Sequence, residues 1–331
     1  MGISPLDPTV LRHLRRLQRA TGIGAHAFSV QDDQRSPRTI YRWRRIVGDR
    51  LLIIPSVQVE VLGLRHAHVF ITDAREECLR CPYAVEAAWV SPDLVQHVLY
   101  LHCLVPVSQQ RRAAALFAAL PSGPVSVLWS GSGWQSCLGP DEEFTLPVQP
   151  THFKVDDQLL RRHPLVVPVL MELWQYPNSM SAVWFRIRAR DGPRLRSYVH
   201  GPTHVVNGML HVRDACHTLS GSGLVTGHVL RYYPLLQGCI EVFLTVSNRE
   251  VLLRLVRELR LWVRAVETYP LAEGFFCRLL GVYQLMDAMM TLAPELRQCL
   301  RVLFFHTKRH PSPRVMFAYN DLFDPRTGTW R

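Results

Sequence analysis

The sequence predicts an α+β chain in which a winged helix-turn-helix segment and a ferredoxin-like βαββαβ domain form a pair, and the pair occurs twice. Three observations predict it. The first sixty or so residues hold capped helical segments followed by two short alternating apolar runs. From Leu64 the hydrophobic period switches between strand and helix values in the order β-α-β-β-α-β. Beyond a linker the same element order returns, with Leu51-Leu52 matching Gly223-Leu224 and Gly63 matching Gly238 at offsets of 172 and 175.

The 331 residues are 48% hydrophobic and 20% charged, about two domains' worth of chain able to build cores. No uninterrupted run of about 18 apolar residues occurs, and Met1–Arg19 lacks the basic-then-apolar order of a signal peptide. A secreted or membrane-spanning protein is therefore not expected; a cytoplasmic one with no membrane partner is. Eight scattered cysteines fit a reducing compartment, where thiols serve as small buried hydrophobes. The net charge is +11, and all of the 38 cationic residues except Lys154 and Lys308 are arginine. A GC-rich genome would give the same ratio, so position says more. Residues 1–50 hold ten arginines against four aspartates, a concentrated field that predicts a polyanionic partner, nucleic acid ahead of a membrane surface.

Asp7-Pro8 supplies a cap and a first-turn proline to an apolar series at Val10, Leu11, Leu14 and Leu17, which Gly22 and Gly24 end. Ala25–Val30 is a second short helical segment. Ser36-Pro37 repeats the signal and starts Arg38–Val47, where Ile40, Trp43 and Val47 form one buried stripe. Leu51–Ile54 and Val57–Val61 alternate as the two strands of a wing. His66–Ile71 is a strand, Thr72–Arg80 a polar helical segment, and Tyr83–Val90 and His97–Val105 are strands about the turn Ser91-Pro92-Asp93. Ser108 caps the alanine-rich helix Gln109–Leu120, Pro121-Ser122-Gly123 stops it, and Val125–Trp129 closes the first βαββαβ set. Residues 130–152 read as a Gly/Ser/Pro-rich linker.

In the second half Leu165–Trp174 is an apolar helix, Val183–Val199 an irregular basic segment, and Thr203–Leu219 a helix ended by Gly221-Ser222-Gly223 before Leu224-Val225. Ile240–Val246, Val263–Tyr269, Phe275–Tyr283 and Leu300–His306 are strands; Arg249–Trp262 and part of Met286–Leu300 are helices. The divisions are 1–62 and 156–236 for the winged segments, 63–132 and 237–310 for the βαββαβ domains, 133–155 for the linker and 311–331 for a tail.

No catalytic set stands out. Cys78-Leu79-Arg80-Cys81 has metal-ligand spacing without a partner pair, so ordinary thiols are expected and no metal. His200, His204 and His211 fall on a basic helical segment, where phosphate contact or solvation is favoured over metal ligation. Gly131-x-Gly133 and Gly221-x-Gly223 lack the strand-to-helix setting of a nucleotide loop, and no cofactor is expected. Ser36–Val47 is different. It buries its apolar stripe and turns Arg38, Thr39, Tyr41, Arg42 and Arg45 outward behind Ser36. That suits the major groove, where arginine reaches guanine O6 and N7. A solvated basic helix without a partner is the bland alternative.

Ser36-Pro37-Arg38-Thr39-Ile40 through Arg44-Arg45-Ile46-Val47, then Leu51-Leu52-Ile53 and Gly63-Leu64, resembles the Lrp/AsnC family of transcription regulators. Asp93–Val105 resembles the approach to that family's second sensing-domain helix, and Phe317–Trp330 the C-terminal signature of its long, tandem archaeal forms. The resemblance covers both halves and implies helix-turn-helix units joined to βαββαβ ligand-sensing and oligomerisation (RAM-like) units. Three features depart from the family: Ser91-Pro92-Asp93 replaces its glycine-aspartate signature, Arg44 stands where an aliphatic residue is common, and the chain is about twice the usual length.

The resemblance implies a sequence-specific, non-enzymatic regulator on double-stranded DNA. Its RAM-like units would pair within one chain or between two, and its effector is left unassigned. Recognition would use Arg38, Thr39, Tyr41, Arg42 and Arg45, with Arg35 and Arg50 on phosphates. A second reader, Thr203–Leu219, would offer Asn207, His211, Arg213 and His217, with Arg186, Arg188, Arg194 and Arg196 as backbone clamps. Two alternatives stay open. Fused pairs of Lrp-like units also occur in sirohaem decarboxylases, which place histidine and arginine on the carboxylates of a tetrapyrrole. A basic chain of this kind can also coat DNA without sequence preference.

Overall fold

The computed structural model describes residues 51–91, 98–137, 157–175, 180–199, 208–232, 240–259, 262–263, 265–282, 292–307 and 317–331. In chain order these give β1 (Leu51–Val57), β2 (Leu64–Thr72), β3 (Ala84–Val90), β4 (Val98–Pro106), α1 (Gln110–Ala118), β5 (Val125–Ser130) and β6 (Trp134–Cys137). Then come α2 (Asp157–Arg162), α3 (Val166–Gln175), α4 (Met180–Asp191), α5 (Leu195–Tyr198), α6 (Gly208–Gly221) and β7 (Val225–Tyr232). The chain continues with β8 (Ile240–Val246), α7 (Arg249–Leu259), β9 (Ala265–Pro270), β10 (Phe275–Val282), α8 (Pro294–Cys299) and β11 (Leu300–Thr307). It closes with α9 (Tyr319–Leu322), β12 (Phe323–Asp324) and β13 (Thr329–Trp330). The described residues fall into two compact units, one from 51–58 and 165–232, the other from 59–164 and 240–331.

In the larger unit β2–β5 form an antiparallel sheet of order β3-β4-β2-β5, and β8–β11 a second of order β11-β8-β10-β9. Each puts its first and third strands at the centre, the ferredoxin-like arrangement. The pairing of β2 with β4 runs unbroken from Leu64↔Pro106 to Thr72↔Val98. Residues 66–71 of β2 are all buried because both faces of the sheet are covered. One face meets α1, whose Ala113 and Phe117 point inward beside Tyr83 and Trp129. The other lies against the second sheet: Phe70, Ala88, Val90, Val98 and Tyr100 form one core with Phe243, Tyr269 and Phe276. In the second sheet Asn248 caps α7, its side-chain oxygen accepting from the Val251 amide at 3.0 Å. Leu252, Leu255, Val256 and Leu259 then pack inward at helical spacing on Val242, Leu244, Cys277 and Leu279.

The smaller unit packs α3, α4 and α6 against one another and pairs β1 antiparallel with β7, from Leu51↔Tyr232 to Val57↔Val225. The expected two-stranded wing is therefore corrected. Leu51–Val57 is one strand whose partner comes from the second half of the chain. Val59–Leu62 turns into a 3-10 helix instead, with the Val59 amide bound to Ser132 Oγ at 3.0 Å. Val183–Val199, expected to be irregular, is largely helical in α4 and α5. Val183, Trp184 and Ile187 are buried, and Arg186 and Arg190, one helical turn apart, meet the wholly buried Glu172 of α3 at 2.7 and 2.9 Å. The apolar stripe is interrupted by arginines whose carboxylate lies on another helix, so the periodicity is masked. At the start of α6, a side chain on Gly208 would overlap the Trp184 ring. The segment expected as a linker contains β6, which extends the second sheet alongside β9. The first helix of the first βαββαβ set is a single 3-10 turn, Glu76–Arg80. No helix among the described residues is long and apolar enough to cross a membrane.

The tail is folded onto the larger unit. Phe317, Tyr319 and Phe323 are fully buried. The Trp330 indole donates to the Leu62 carbonyl at 2.6 Å, and the Ala318 amide donates to the Pro82 carbonyl at 2.9 Å. Gly328, at φ +70°, closes the β12–β13 hairpin where a side chain would strike the Arg161 backbone. Phe323→Ala should lower stability by about 3–5 kcal/mol and exposed Arg326→Ala by under about 0.5 kcal/mol, as read from urea unfolding midpoints. Equal midpoints would show the tail to be an appendage.

Candidate active site between two sheets

Side chains two apart on a strand share a face. His66, His68 and Phe70 of β2 and Tyr100 and His102 of β4 therefore all face the second sheet, and the register sets His68 directly opposite His102. His66 Nδ1 lies 2.8 Å from His102 Nε2. His68 hydrogen-bonds the Tyr100 hydroxyl through Nδ1 (2.9 Å) and Ser130 Oγ through Nε2 (3.1 Å), so in either tautomer one ring nitrogen donates and the other accepts. From the second sheet, the Tyr269 ring meets all three imidazoles edge-on, at 5.5, 4.5 and 5.6 Å from His66, His68 and His102. Phe276 lies 4.2 Å from His68.

Burial first, and then the charge of His102, hold His66 well below the ordinary imidazole range; His68 is lowered likewise, with further repulsion from His66 and Arg278. Burial raises Tyr100 well above its usual value, partly opposed by Arg278. His66 and His68 are thus neutral and buried, while His102 is half-buried.

A second polar cluster spans the same sheets. Arg278 of β10, 2% exposed, grips Glu86 bidentately at 2.8 and 3.0 Å, Glu241 at 2.8 and 3.1 Å, and lies 3.5 Å from Glu267. Burial opposes its charge, but Glu241, Glu86 and Glu267 outweigh that and hold it fully ionised. Strand register makes the two clusters positional counterparts. On the third strand of its set, His102 stands between His68 and Glu86; Arg278 stands between Phe243 and Glu267.

None of these residues was singled out from sequence. The usable signal was the pair of alternations His66-x-His68-x-Phe70 and Tyr100-x-His102, which puts five aromatic or imidazole side chains on one sheet face. Of the residues expected on DNA, Arg35, Ser36, Arg38, Thr39, Tyr41, Arg42, Arg45, Arg50 and Asn207 lie outside the described residues. Arg186 is engaged by Glu172; Arg188, Arg194, Arg196 and Arg213 are exposed on α4, a 3-10 turn, α5 and α6, and His211 is half-buried on α6. Cys78 and Cys81 are buried free thiols. Among the described residues no group of three or more His, Cys, Asp or Glu is arranged to hold a metal ion.

Two outcomes follow from the charges. Unfolded, each imidazole titrates near 6.5; folded, His66 and His68 stay neutral to lower pH. Below that pH the unfolded chain binds protons that the folded chain does not. Stability should therefore hold above about pH 6.5 and fall below it, by up to about 1.4 kcal/mol per pH unit for each histidine, until the depressed folded values are reached. Urea unfolding of wild type and His68→Phe across this range should show a shallower slope in the variant. Arg278→Met, which leaves three carboxylates without their shared cation, should cost about 3–5 kcal/mol in the same assay.

No family profile and no curated protein matches the chain by sequence. Among solved structures, the crystal structure of the siroheme decarboxylase NirDL matches 96% of this chain and 95% of its own at 11% identity and a TM-score of 0.47. That protein is an enzyme. It stands against two expectations, that this chain is not an enzyme and that DNA binding and transcription regulation describe it, and neither is carried further. At this identity and TM-score the match transfers no residue and no activity.

Proposed function

We propose that the chain is a lyase that decarboxylates a polycarboxylate macrocycle of the tetrapyrrole class. The observation that carries the reading is the imidazole pair at 2.8 Å, with His66 inside the sheet interface and His102 half-buried. Decarboxylation breaks a carbon–carboxylate bond and releases carbon dioxide. The electron pair stays on carbon, which then needs one proton and no oxidant. His66 gives the proton on its Nε2 to that carbon and takes one back at Nδ1 from His102 Nε2, and His102 is reprotonated from solvent, so both rings end neutral and the departing group is replaced by hydrogen. This chemistry is that of the enzyme alternative raised by the fused-pair resemblance. Sirohaem, the compound after which the structurally matched decarboxylase is named, is the first substrate to try.

The chain mixed with sirohaem without oxygen should perturb its visible spectrum and yield a product lighter by carbon dioxide. His66→Ala and His102→Ala should each slow product formation by about 100-fold or more. An unperturbed spectrum and an unchanged mass would end this assignment.

A further inference from the structure

We infer that Tyr269 is the access-determining residue of the histidine cluster, its ring held in place by the Gly131-Ser132-Gly133 strap. The inference rests on the reading of that cluster as the reacting site, and its test needs no tetrapyrrole. His68 is 0% and His66 5% exposed, and apart from the half-buried His102, itself part of the cluster, the rest of the wall is closed. Phe276 and Ser130 are 0% exposed, Tyr100 is 1% and Phe70 2%, and Phe70, Tyr100 and Phe276 lie within paired stretches of central strands, so moving them would part the sheets. Tyr269 is 8% exposed and stands one residue from the end of β9, where the chain reverses through Leu271–Gly274.

Its ring meets the three imidazoles and also lies against Gly133, where a methyl group would overlap the ring carbons. The strap is partly exposed and carries almost no side-chain bulk. It is pinned at both ends of its serine: Glu60 accepts from the Ser132 amide and hydroxyl, and the Gly131 amide donates to the Pro270 carbonyl at 3.0 Å. The two glycines that fail as a nucleotide loop thus do a different job, leaving room for an aromatic ring over buried imidazoles. A ring that swings away from a strand end opens the site without separating the sheets.

The test is carbethoxylation of the full chain by diethyl pyrocarbonate, mapped by peptide mass spectrometry. The exposed His217 serves as the reference; the buried His228 reports unfolding of the smaller unit, and the buried Cys277 thiol, probed with iodoacetamide, unfolding of the larger unit. In wild type His102 and His217 should react well ahead of His66 and His68. Tyr269→Ala and Gly133→Ala should speed His66 and His68 by about tenfold or more relative to His217, with His228 and Cys277 still protected, while Tyr269→Phe keeps the wild-type pattern. Wild-type His66 and His68 reacting in step with His102 would overturn the inference, whether or not the variants fold. So would alanine variants that leave both histidines protected, or a phenylalanine variant that exposes them. Controlled access with no response to sirohaem would retain this inference and discard the substrate; a sirohaem response with freely reacting histidines would do the reverse.

Discussion

Two sheets pressed face to face leave the polar groups between them without water, and an unpaired polar group there costs several kcal/mol (about 2–7). Every chemically active feature of the larger unit answers to that constraint. His68 uses both ring nitrogens, on Tyr100 and Ser130; His66 turns to His102; Arg278 gathers carboxylates from three strands, one of them on the opposite sheet. The aromatic residues between the two clusters, Phe70, Tyr100, Phe243 and Phe276, supply the apolar area that brings the sheets together. The polar groups fix which face meets which.

The same constraint makes the imidazoles useful. In water a histidine is half protonated near neutrality and exchanges freely. Inside the interface His66 and His68 are kept neutral, and one half-buried ring, His102, touches them. Under the proposed function, the proton would arrive through that one ring.

The sheets were legible in the sequence because β2, β4, β8 and β10 carry enough Val, Leu, Phe and Tyr to read as strands wherever they pack. What their faces touch was less so. His66, His68 and His102 looked like three of fifteen scattered histidines until β2 and β4 were paired, since a row across a sheet is invisible along a chain. α4 was hidden because Arg186 and Arg190 sit on its inner side, matched by Glu172 from α3. β6 is hidden because four residues carry no period, and the pattern around β1 suggests a neighbouring segment as its partner, whereas the true partner lies 170 residues away. The Phe317–Trp330 run was visible as a motif, yet its role depends on the Leu62 and Pro82 carbonyls far upstream. The arginine-rich first fifty residues dominated the functional reading because charge is easy to count, whereas a buried imidazole adds nothing to net charge.

The correspondence of His102 with Arg278 says something about covalent fusion itself. In a dimer of identical chains any residue at that strand position appears at both ends of the interface, so an imidazole or a guanidinium must suit each end equally. Joined in one polypeptide, the halves can drift apart at a single codon. One end can then hold a guanidinium among carboxylates while its counterpart holds stacked imidazoles, a difference that a symmetric homodimer cannot encode.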